Sequence, residues 1–327
     1  MVSRSALEHT GQLDNWGDYT PQPKADAAAA SDLKTCWLNQ FSALKISGPD
    51  AERFLQGQLT CNITDITTST VHYGACCTAK GRIVANFNIS FDGDNYWLVL
   101  PTTSADILEK YLQKYKVFFK ASIENCQQSH LILGQWHTAE ASTAESGTAI
   151  HSADQHQLTL TANRSFIIVS DNSSQEYSLS PALDWRLADI NDGIYYVEGA
   201  QIEQWIPQHI NWHLIDGISF SKGCYTGQEI IARLQYLGKA KKALYHYQGL
   251  ATETVTDESL LAKQLFDENG KNQAEVLILR SHPKTQGTLD LLVVTHGEKP
   301  LQTLYLTESL DFPLTLQNLP YTIEKDA

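Results

Sequence analysis

The chain has 327 residues, 42% of them hydrophobic, and a formal net charge of −13. This length suffices for two or three domains with substantial cores. The acidic balance argues against a broad nonspecific nucleic-acid surface, because such a surface needs clustered cations. No apolar run approaches the length of a membrane span, and the N-terminus lacks the apolar segment of a signal peptide.

The six cysteines are Cys36, Cys61, Cys76, Cys77, Cys126 and Cys224. None forms a C-x-x-C pair, so the spacing indicates neither a zinc site nor a thioredoxin-type motif. We therefore expect a reduced, cytoplasmic protein with no role at a membrane.

Residues 1–30 are polar and end in a run of four alanines. We expect an extension that is mostly disordered or lies along the surface. Regular structure is predicted to begin with a strand over residues 43–46. Ser47 then caps a helix, with Asp50 three residues on.

A strand meander is predicted next, over residues 72–78 and 83–91, with a turn between the strands. In the second strand Asn86, Asn88 and Ser90 alternate with apolar residues. This period of two predicts one apolar and one polar face. The polar face is expected to meet solvent, with the lining of a cleft as the alternative. A helix over residues 103–115 and a strand over 117–119 follow.

Further strands are predicted at residues 131–133 and 166–169, and a helix at 181–190 that places Trp185 away from its apolar stripe. A second helix follows residue 229 and ends at Gly238. Beyond it, four short strands separated by turns predict a small antiparallel barrel.

The densest set of signals lies in residues 221–229, where two glycines flank Cys224. Thr226 and Glu229 have the spacing of a capping box ahead of an apolar helix. The helix N-terminus and the neighbouring Lys222 both favour a thiolate, which makes Cys224 the candidate reactive cysteine. The alternative is a buried cysteine in a glycine-rich turn.

A local cationic patch surrounds this segment between residues 222 and 242. Its cations, set against Glu229 alone, are Lys222, Arg233, Lys239, Lys241 and Lys242. They suit an anionic ligand tail or RNA phosphate. A solvated helix face with a basic C-terminal turn explains them equally well.

Residues 222–229, with the sequence KGCYTGQE, resemble the signature of the YgfZ family. Residues 55–60, 206–208 and 217–220 agree with it, and the resemblance runs from about residue 38 to the C-terminus. It implies a folate-binding, tRNA-modifying protein related in fold to the aminomethyltransferase of the glycine cleavage system. The implied fold is α+β, with mixed antiparallel sheets, helices and a small C-terminal β-barrel.

The resemblance also implies a domain organisation. After the extension at 1–30, a folate-binding region spans 31–240 and contains two α+β lobes. One lobe takes residues 31–130 with part of 200–240, and the other takes 131–200. The barrel occupies residues 241–327.

The implied ligand is tetrahydrofolate or another reduced folate. Trp185 matches a folate-binding tryptophan of the family, although core packing is the alternative for any lone tryptophan. A second such tryptophan aligns with Phe41, which keeps the π-face but lacks the indole N–H. The remaining candidate ligand residues are Tyr225, Gln228, Glu229 and Arg233, and the candidate catalytic residues are Cys224 and Lys222.

The related aminomethyltransferases carry an aspartate where this chain has Val84, Ala85 and Asn86, and a glutamate where it has Asn191. One-carbon transfer needs a group that manages protons at the reacting nitrogen, and neither alanine nor asparagine titrates. We therefore expect a folate pocket without aminomethyltransferase activity.

The resemblance implies an accessory protein that supports iron–sulfur enzymes, including those that thiolate tRNA. The alternative is a folate-dependent one-carbon enzyme, a demethylase or formaldehyde scavenger, with Cys224 as nucleophile. A third hypothesis is direct tRNA binding through residues 222–242. Cys224 itself is open to three roles: thiol chemistry on a one-carbon unit, transient handling of iron or sulfide, or a structural turn.

Overall fold

The computed structural model describes residues 3–14, 17–22, 32–138, 145–238, 240–250, 264–281, 288–295 and 299–323. The chain divides into two compact units. The first contains Met1–Trp185, Tyr196–Gln204 and Asp216–Gln228, and the second contains Arg186–Tyr195, Trp205–Ile215 and Glu229–Ala327. The unit that holds the barrel therefore includes chain segments before residue 241. No helix in the described ranges combines the length and apolar character that a membrane crossing requires.

The first unit contains two five-stranded sheets, a hairpin and three helices. In chain order its elements are α1 (Arg4–Thr10), β1 (Gly11–Leu13), β2 (Tyr19–Pro21), β3 (Leu33–Trp37), β4 (Phe41–Ser47), α2 (Ala51–Gln56), β5 (Val71–Cys77), β6 (Ile83–Phe91), β7 (Asn95–Pro101), α3 (Thr102–Gln113), β8 (Ser122–Asn125), β9 (His130–His137), β10 (Thr148–His151), β11 (Gln155–Thr161) and β12 (Arg164–Ser170). Short 3₁₀ helices span Ile63–Asp65, Lys116–Phe118, Cys126–Gln128 and Gly199–Gln201.

The first sheet has the strand order β5-β6-β7-β4-β8. Its neighbouring strands run antiparallel. One of its faces contributes Leu44, Phe87, Ile89 and Leu98 to a hydrophobic core. Apolar residues of α2 and α3 belong to the same core, as their spacing predicts. The helices therefore cover this face and leave the other face of the sheet to a different partner.

The second sheet has the order β10-β11-β12-β9-β3 and supplies that partner. The ring of Phe41 on β4 lies 5.5 Å from the ring of Phe166 on β12. Trp97 on β7 lies 4.6 Å from the ring of His156 on β11. The two sheets thus face each other, and the space between them is referred to below as the inner layer.

The N-terminal segment is folded, and it covers the outer face of the second sheet. Leu7 and Tyr19 are buried in a core with Trp37, Leu133 and Ile167. The Tyr19 ring meets the Trp37 ring edge-on at 5.1 Å. Residues 3–14 and 17–22 therefore do lie along the protein, but as a helix and hairpin that bury apolar side chains rather than as a polar extension. The alanine run lies outside the described residues.

The second unit contains a closed antiparallel barrel, which confirms the prediction from the strand spacing. Its elements are α5 (Gln228–Leu237), which begins at the unit boundary, β13 (Leu244–Leu250), β14 (Gln264–Phe266), β15 (Asn272–Ser281), β16 (Thr288–Thr295), β17 (Thr303–Tyr305) and β18 (Pro313–Gln317). The barrel order is β13-β16-β15-β14-β17-β18. Helix α4 (Ala182–Asn191) crosses from the first unit into the second, and a 3₁₀ helix spans Pro207–Ile210.

Three local predictions are wrong. The strand expected at residues 117–119 is replaced by the 3₁₀ helix Lys116–Phe118, after which the amide of Phe119 donates to the Lys116 carbonyl at 2.8 Å. Ser47 is the last residue of β4, and Asp50 is the N-cap of α2 but makes no side-chain capping bond to the helix. Regular structure begins at α1 rather than at residue 43.

Candidate ligand site and motif loop

The polar face of β6 lies inside the protein. Asn86, Asn88 and Ser90 are each at most 1% exposed, so the expected solvent-facing surface is wrong. Val197 and Tyr196 bond to Asn86 and Asn88, and sequence alternation alone cannot distinguish a strand face covered by protein from one that meets water. The alternative, a polar face that lines an interior space, fits the structure.

An aromatic run continues from this polar face through the inner layer. Tyr196 donates its hydroxyl to Asn88 Oδ1 at 2.5 Å, and its ring meets Phe41 edge-on at 5.3 Å. Phe41 contacts Phe166, which lies 5.1 Å from Trp185. These five residues are called the inner cluster. The structure thus brings Phe41 and Trp185, two of the three aromatic candidates, into one contiguous group.

Trp185 is fully buried, and its ring is packed tightly. The Arg164 guanidinium carbon lies 4.2 Å from the ring centroid. A Cβ at Gly134 would lie 2.5 Å from the ring, so only glycine admits the indole there. What Trp185 offers a ligand in this arrangement is its indole N–H rather than an open ring face.

Several buried polar atoms of the inner layer have no hydrogen-bond partner among the described residues. They include Asn88 Nδ2, Ser90 Oγ and Trp185 Nε1. Leaving a buried donor unsatisfied costs about 1–3 kcal/mol, so native proteins seldom leave several together. This part of the inner layer therefore contains polar atoms that could form additional hydrogen bonds.

The position where the family resemblance leads us to expect an aspartate holds no titratable group. Ala85 is part of the hydrophobic core beneath the helices. Asn86 Oδ1 accepts a hydrogen bond from the Val197 amide at 2.7 Å and so serves as a structural acceptor. Asn191 is exposed at the end of α4, in the second unit.

The motif loop, residues 221–229, is anchored by Lys222. This side chain is only 8% exposed, and its ammonium donates to the carbonyls of Leu59 and Cys61 at 2.8 and 2.7 Å. The Thr226 amide also donates to the Gly57 carbonyl at 3.1 Å. The two stretches that carry the family resemblance, residues 55–60 and 222–229, therefore contact each other.

Burial lowers the pKa of Lys222 to about 8, with the Cys61 thiol opposing the shift. Burial raises the pKa of Cys61 to about 12, and Lys222 offsets part of that rise. The ammonium of Lys222 thus interacts with Cys61 and two carbonyls. Activation of Cys224 by Lys222 stays a prediction.

The two glycines of the motif differ in their requirements. Gly227 has φ +85°, and a Cβ there would lie 2.5 Å from the Thr78 carbonyl oxygen. A Cβ at Gly223 would meet nothing within 4 Å. Only Gly227 therefore needs glycine, both for its conformation and for the close approach to the turn at residues 78–81.

Cys224 is exposed, whereas the other five cysteines are buried. The alternative of a buried cysteine in a turn is therefore wrong. Tyr225, one residue on, is buried, and its ring centroid lies 5.2 Å from the Lys222 ammonium. Burial raises the pKa of the Tyr225 phenol well above its ordinary value.

Helix α5 begins at Gln228, which leaves three residues between it and Cys224. The predicted capping box is wrong, because Gly227 rather than Thr226 directly precedes the helix and the Thr226 hydroxyl donates to Gln58 Oε1 at 3.3 Å. Glu229 and Arg233 are exposed on α5.

The cationic patch is smaller than the sequence suggests. Lys222 points inward, and Lys239 lies outside the described residues. Arg233, Lys241 and Lys242 remain, and the Lys242 ammonium lies over the Trp205 ring at 5.1 Å.

The sequence analysis did not identify Phe166 and Tyr196 as candidate site residues, because nothing in their local pattern distinguishes them from ordinary core residues. The polar alternation of β6 was the signal that pointed to Asn88 and Ser90. In the described ranges, no group of three or more His, Cys, Asp or Glu residues is arranged to hold a metal ion.

Comparison with known proteins agrees with this architecture. The GCVT N-terminal domain family matches residues 28–136. A "tRNA-modifying protein YgfZ" of Colwellia psychrerythraea is 29% identical over 305 residues, covering 88% of this chain and 92% of that protein. A protein of the same name from Vibrio vulnificus is 27% identical over 317 residues, covering 91% of this chain and 95% of that protein.

Among solved structures, the glycine cleavage system aminomethyltransferase T from Bartonella henselae superposes with a TM-score of 0.72. It is 12% identical and covers 97% of this chain and 96% of that chain. The resemblance to the YgfZ family and the expected aminomethyltransferase-like fold are both confirmed.

Proposed function

We propose that this homologue of the YgfZ proteins is a folate-binding accessory protein in tRNA modification. In this role it binds a reduced folate in the inner layer and uses the exposed Cys224 loop to support iron–sulfur enzymes that thiolate tRNA. The proposal that a folate binds is supported by the buried polar atoms without hydrogen-bond partners that lie beside the aromatic rings of the inner cluster.

These residues fit a pterin. A pterin is flat, aromatic and rich in donors and acceptors, so it needs apolar contact together with a few fixed polar groups. Asn88 Nδ2, Ser90 Oγ and Trp185 Nε1 would bind its acceptor atoms, and Phe41 would contact its ring. Phe41 and Tyr196 are no more than 5% exposed, so entry of a ligand requires these side chains to rearrange.

A bound reduced folate supplies the capacity to carry a one-carbon unit. The residues of this chain bind and orient the pterin and exclude water from it. The position of the aminomethyltransferase aspartate offers only Ala85 and an Asn86 engaged by Val197. This favours a binding role without aminomethyltransferase activity.

The remaining ligand candidates belong to the motif loop and α5. The family resemblance names Gln228, Glu229 and Arg233 as further candidate ligand residues, and Arg233 carries a positive charge that suits an anionic group. Tyr225 is buried and contributes by holding the loop. These assignments rest on the family resemblance.

The accessory role is supported by the name of the relatives and by the exposed thiol. The client enzymes are identified by chemistry only, as iron–sulfur enzymes that insert sulfur into tRNA. An exposed cysteine on an anchored loop supports this role, because such a protein could reach the thiol without a rearrangement of the fold.

The test is to measure thiolated tRNA nucleosides by mass spectrometry in cells that lack this protein and are complemented with variants. We expect wild type and Ser221→Ala to restore the thiolated nucleosides and Cys224→Ser to fail. Ser221 is the matched control because it is exposed on the same loop. Full restoration by Cys224→Ser would refute the role of the thiol.

A second candidate function is a folate-dependent one-carbon enzyme, a demethylase or formaldehyde scavenger, with Cys224 as nucleophile. The exposure of Cys224 favours it, because a nucleophile must reach its substrate. Turnover of a methylated substrate by the pure protein, lost in Cys224→Ser, would establish the enzyme in place of the accessory protein.

A further inference from the structure

Residues 110–120 form an exposed tip that no part of the proposed function uses. Val117 is 75% and Phe118 is 87% exposed. Four lysines lie within this stretch of eleven residues, at positions 110, 114, 116 and 120, and no acidic residue lies among them. In a chain with a net charge of −13, this combination of cations and exposed apolar side chains is unusual.

The C-terminal end of the tip is fixed by contacts with α2 and its N-cap. Phe119 packs on Phe54 with ring centroids 5.3 Å apart, and the Arg53 guanidinium lies 5.1 Å from the Phe119 ring. The Lys120 amide donates to Asp50 Oδ2 at 2.8 Å. Since Phe119 and Lys120 are fixed, Phe118 is presented to solvent on a rigid support.

Tyrosines extend the aromatic surface along the end of α3. The Tyr111 and Tyr115 rings lie 5.2 Å apart, and the Lys114 ammonium lies 5.7 Å from the Tyr111 centroid. Lysines thus alternate with aromatic rings along one exposed edge of the first unit.

We propose that this tip binds single-stranded RNA. Unpaired bases stack on exposed aromatic rings, and lysine ammonium groups neutralise the phosphates between those bases. The spacing of Lys114, Lys116 and Lys120 around Phe118 provides both kinds of contact in one short segment. The choice of RNA as partner rests on the proposed role in tRNA modification. The RNA contact is thereby assigned to residues 110–120 instead of residues 222–242.

The experiment is a fluorescence anisotropy titration of a short labelled single-stranded oligoribonucleotide at low salt, without folate. We expect Phe118→Ala to weaken binding roughly tenfold, which is the scale of one lost base stack. We expect Lys114→Gln and Lys120→Gln together to lower the slope of log affinity against log salt by about 0.7 for each lysine. All three substitutions lie on exposed side chains, so the thermal midpoint of unfolding of these variants should equal that of wild type.

The matched controls are Ile150→Ala, which removes an exposed apolar side chain from the same unit, and Lys271→Gln, which removes an exposed lysine elsewhere. Both should bind RNA like wild type. Equal binding by Phe118→Ala and wild type, or no binding by wild type, would overturn the proposal. Binding to anionic lipid vesicles that depends on Phe118, without RNA binding, would assign the tip to a membrane surface and overturn it as well.

These outcomes are separable from the folate proposal, because the RNA titration contains no folate. Loss of folate binding with RNA binding intact would refute only the inner-layer site.

Discussion

At the residue scale, Cys224 is exposed, whereas the other five cysteines are buried. Buried thiols are inert because reagents cannot reach them and because burial disfavours the thiolate. Burial raises the pKa of Cys126 to about 11 and that of Cys76 well above its ordinary value.

We therefore predict that iodoacetamide modifies one thiol per native chain and six thiols after denaturation. Mass spectrometry should locate the native adduct at Cys224, and Cys224→Ser should remove it. Rapid native modification of two or more cysteines would contradict the burial of the other five.

The two glycines of the motif provide a second test at this scale. Gly227→Ala should destabilise the protein by about 2 kcal/mol or more, because it combines a positive φ with a backbone clash. Gly223→Ala, in the same loop, should change the free energy of unfolding by less than about 0.5 kcal/mol. Urea denaturation measures both, and equal costs would show that the loop is not held against the turn at residues 78–81.

At the element scale, strands of both sheets meet at a histidine cluster around Trp97. His130 and His156 both contact the Trp97 ring, at 5.3 and 4.6 Å. His151 Nδ1 and His156 Nδ1 lie 2.9 Å apart, which is a hydrogen bond only while one of the two nitrogens is unprotonated. The other charged groups that act on His156 are Asp92 and Lys45.

This cluster predicts sensitivity to acid. Burial, followed by the charge of His151, lowers the pKa of His156 from 6.5 to about 4. Between these values the unfolded chain binds more protons than the folded one, so stability falls as the pH drops from 6.5 toward 4. The urea midpoint of His156→Gln should fall less than that of wild type between pH 7 and pH 5. Parallel losses in both proteins would place the acid sensitivity elsewhere.

The element that sequence reasoning described least well is the N-terminal segment. Its apolar residues are few, and Leu7 and Tyr19 lie twelve residues apart without a helical or strand period. Their burial depends on Trp37 and the outer face of the second sheet, which are contacts distant in sequence. Local patterns therefore could not reveal that this segment folds.

At the scale of the whole molecule, the sequence predicted what depends on local periodicity. Alternation and turn residues predicted the strands at residues 83–91 and 244–247 and the barrel. The apolar stripe at helical spacing predicted the helix at 181–190. The contact between residues 55–60 and 222–229 was not predicted, because the two stretches lie far apart in the sequence. The inner layer could not be predicted, because the partners of Asn86 and Asn88 are Val197 and Tyr196, which lie 111 and 108 residues later in the chain.

The fold also explains why the candidate residues separate into two groups. Phe41 and Trp185 belong to the inner cluster, whereas Cys224, Lys222 and Tyr225 belong to the loop that packs on residues 57–61 and 78–81. A folate in the first group and a protein partner at the second would give one chain two separable activities. Variants in one group should leave the other intact.

The central claim is that a reduced folate binds in the inner layer, and calorimetric titration of tetrahydrofolate under reducing conditions tests it most directly. We predict wild-type binding with a Kd of about a micromolar, weakened roughly tenfold in Ser90→Ala and in Trp185→Phe, since each change removes one hydrogen-bonding group. Ser90→Ala should not lower stability, because the hydroxyl has no partner among the described residues. Phe87→Leu, buried on the opposite face of β6, is the control and should bind like wild type. No binding by wild type, or equal binding by all four proteins, would contradict a folate site between the two sheets.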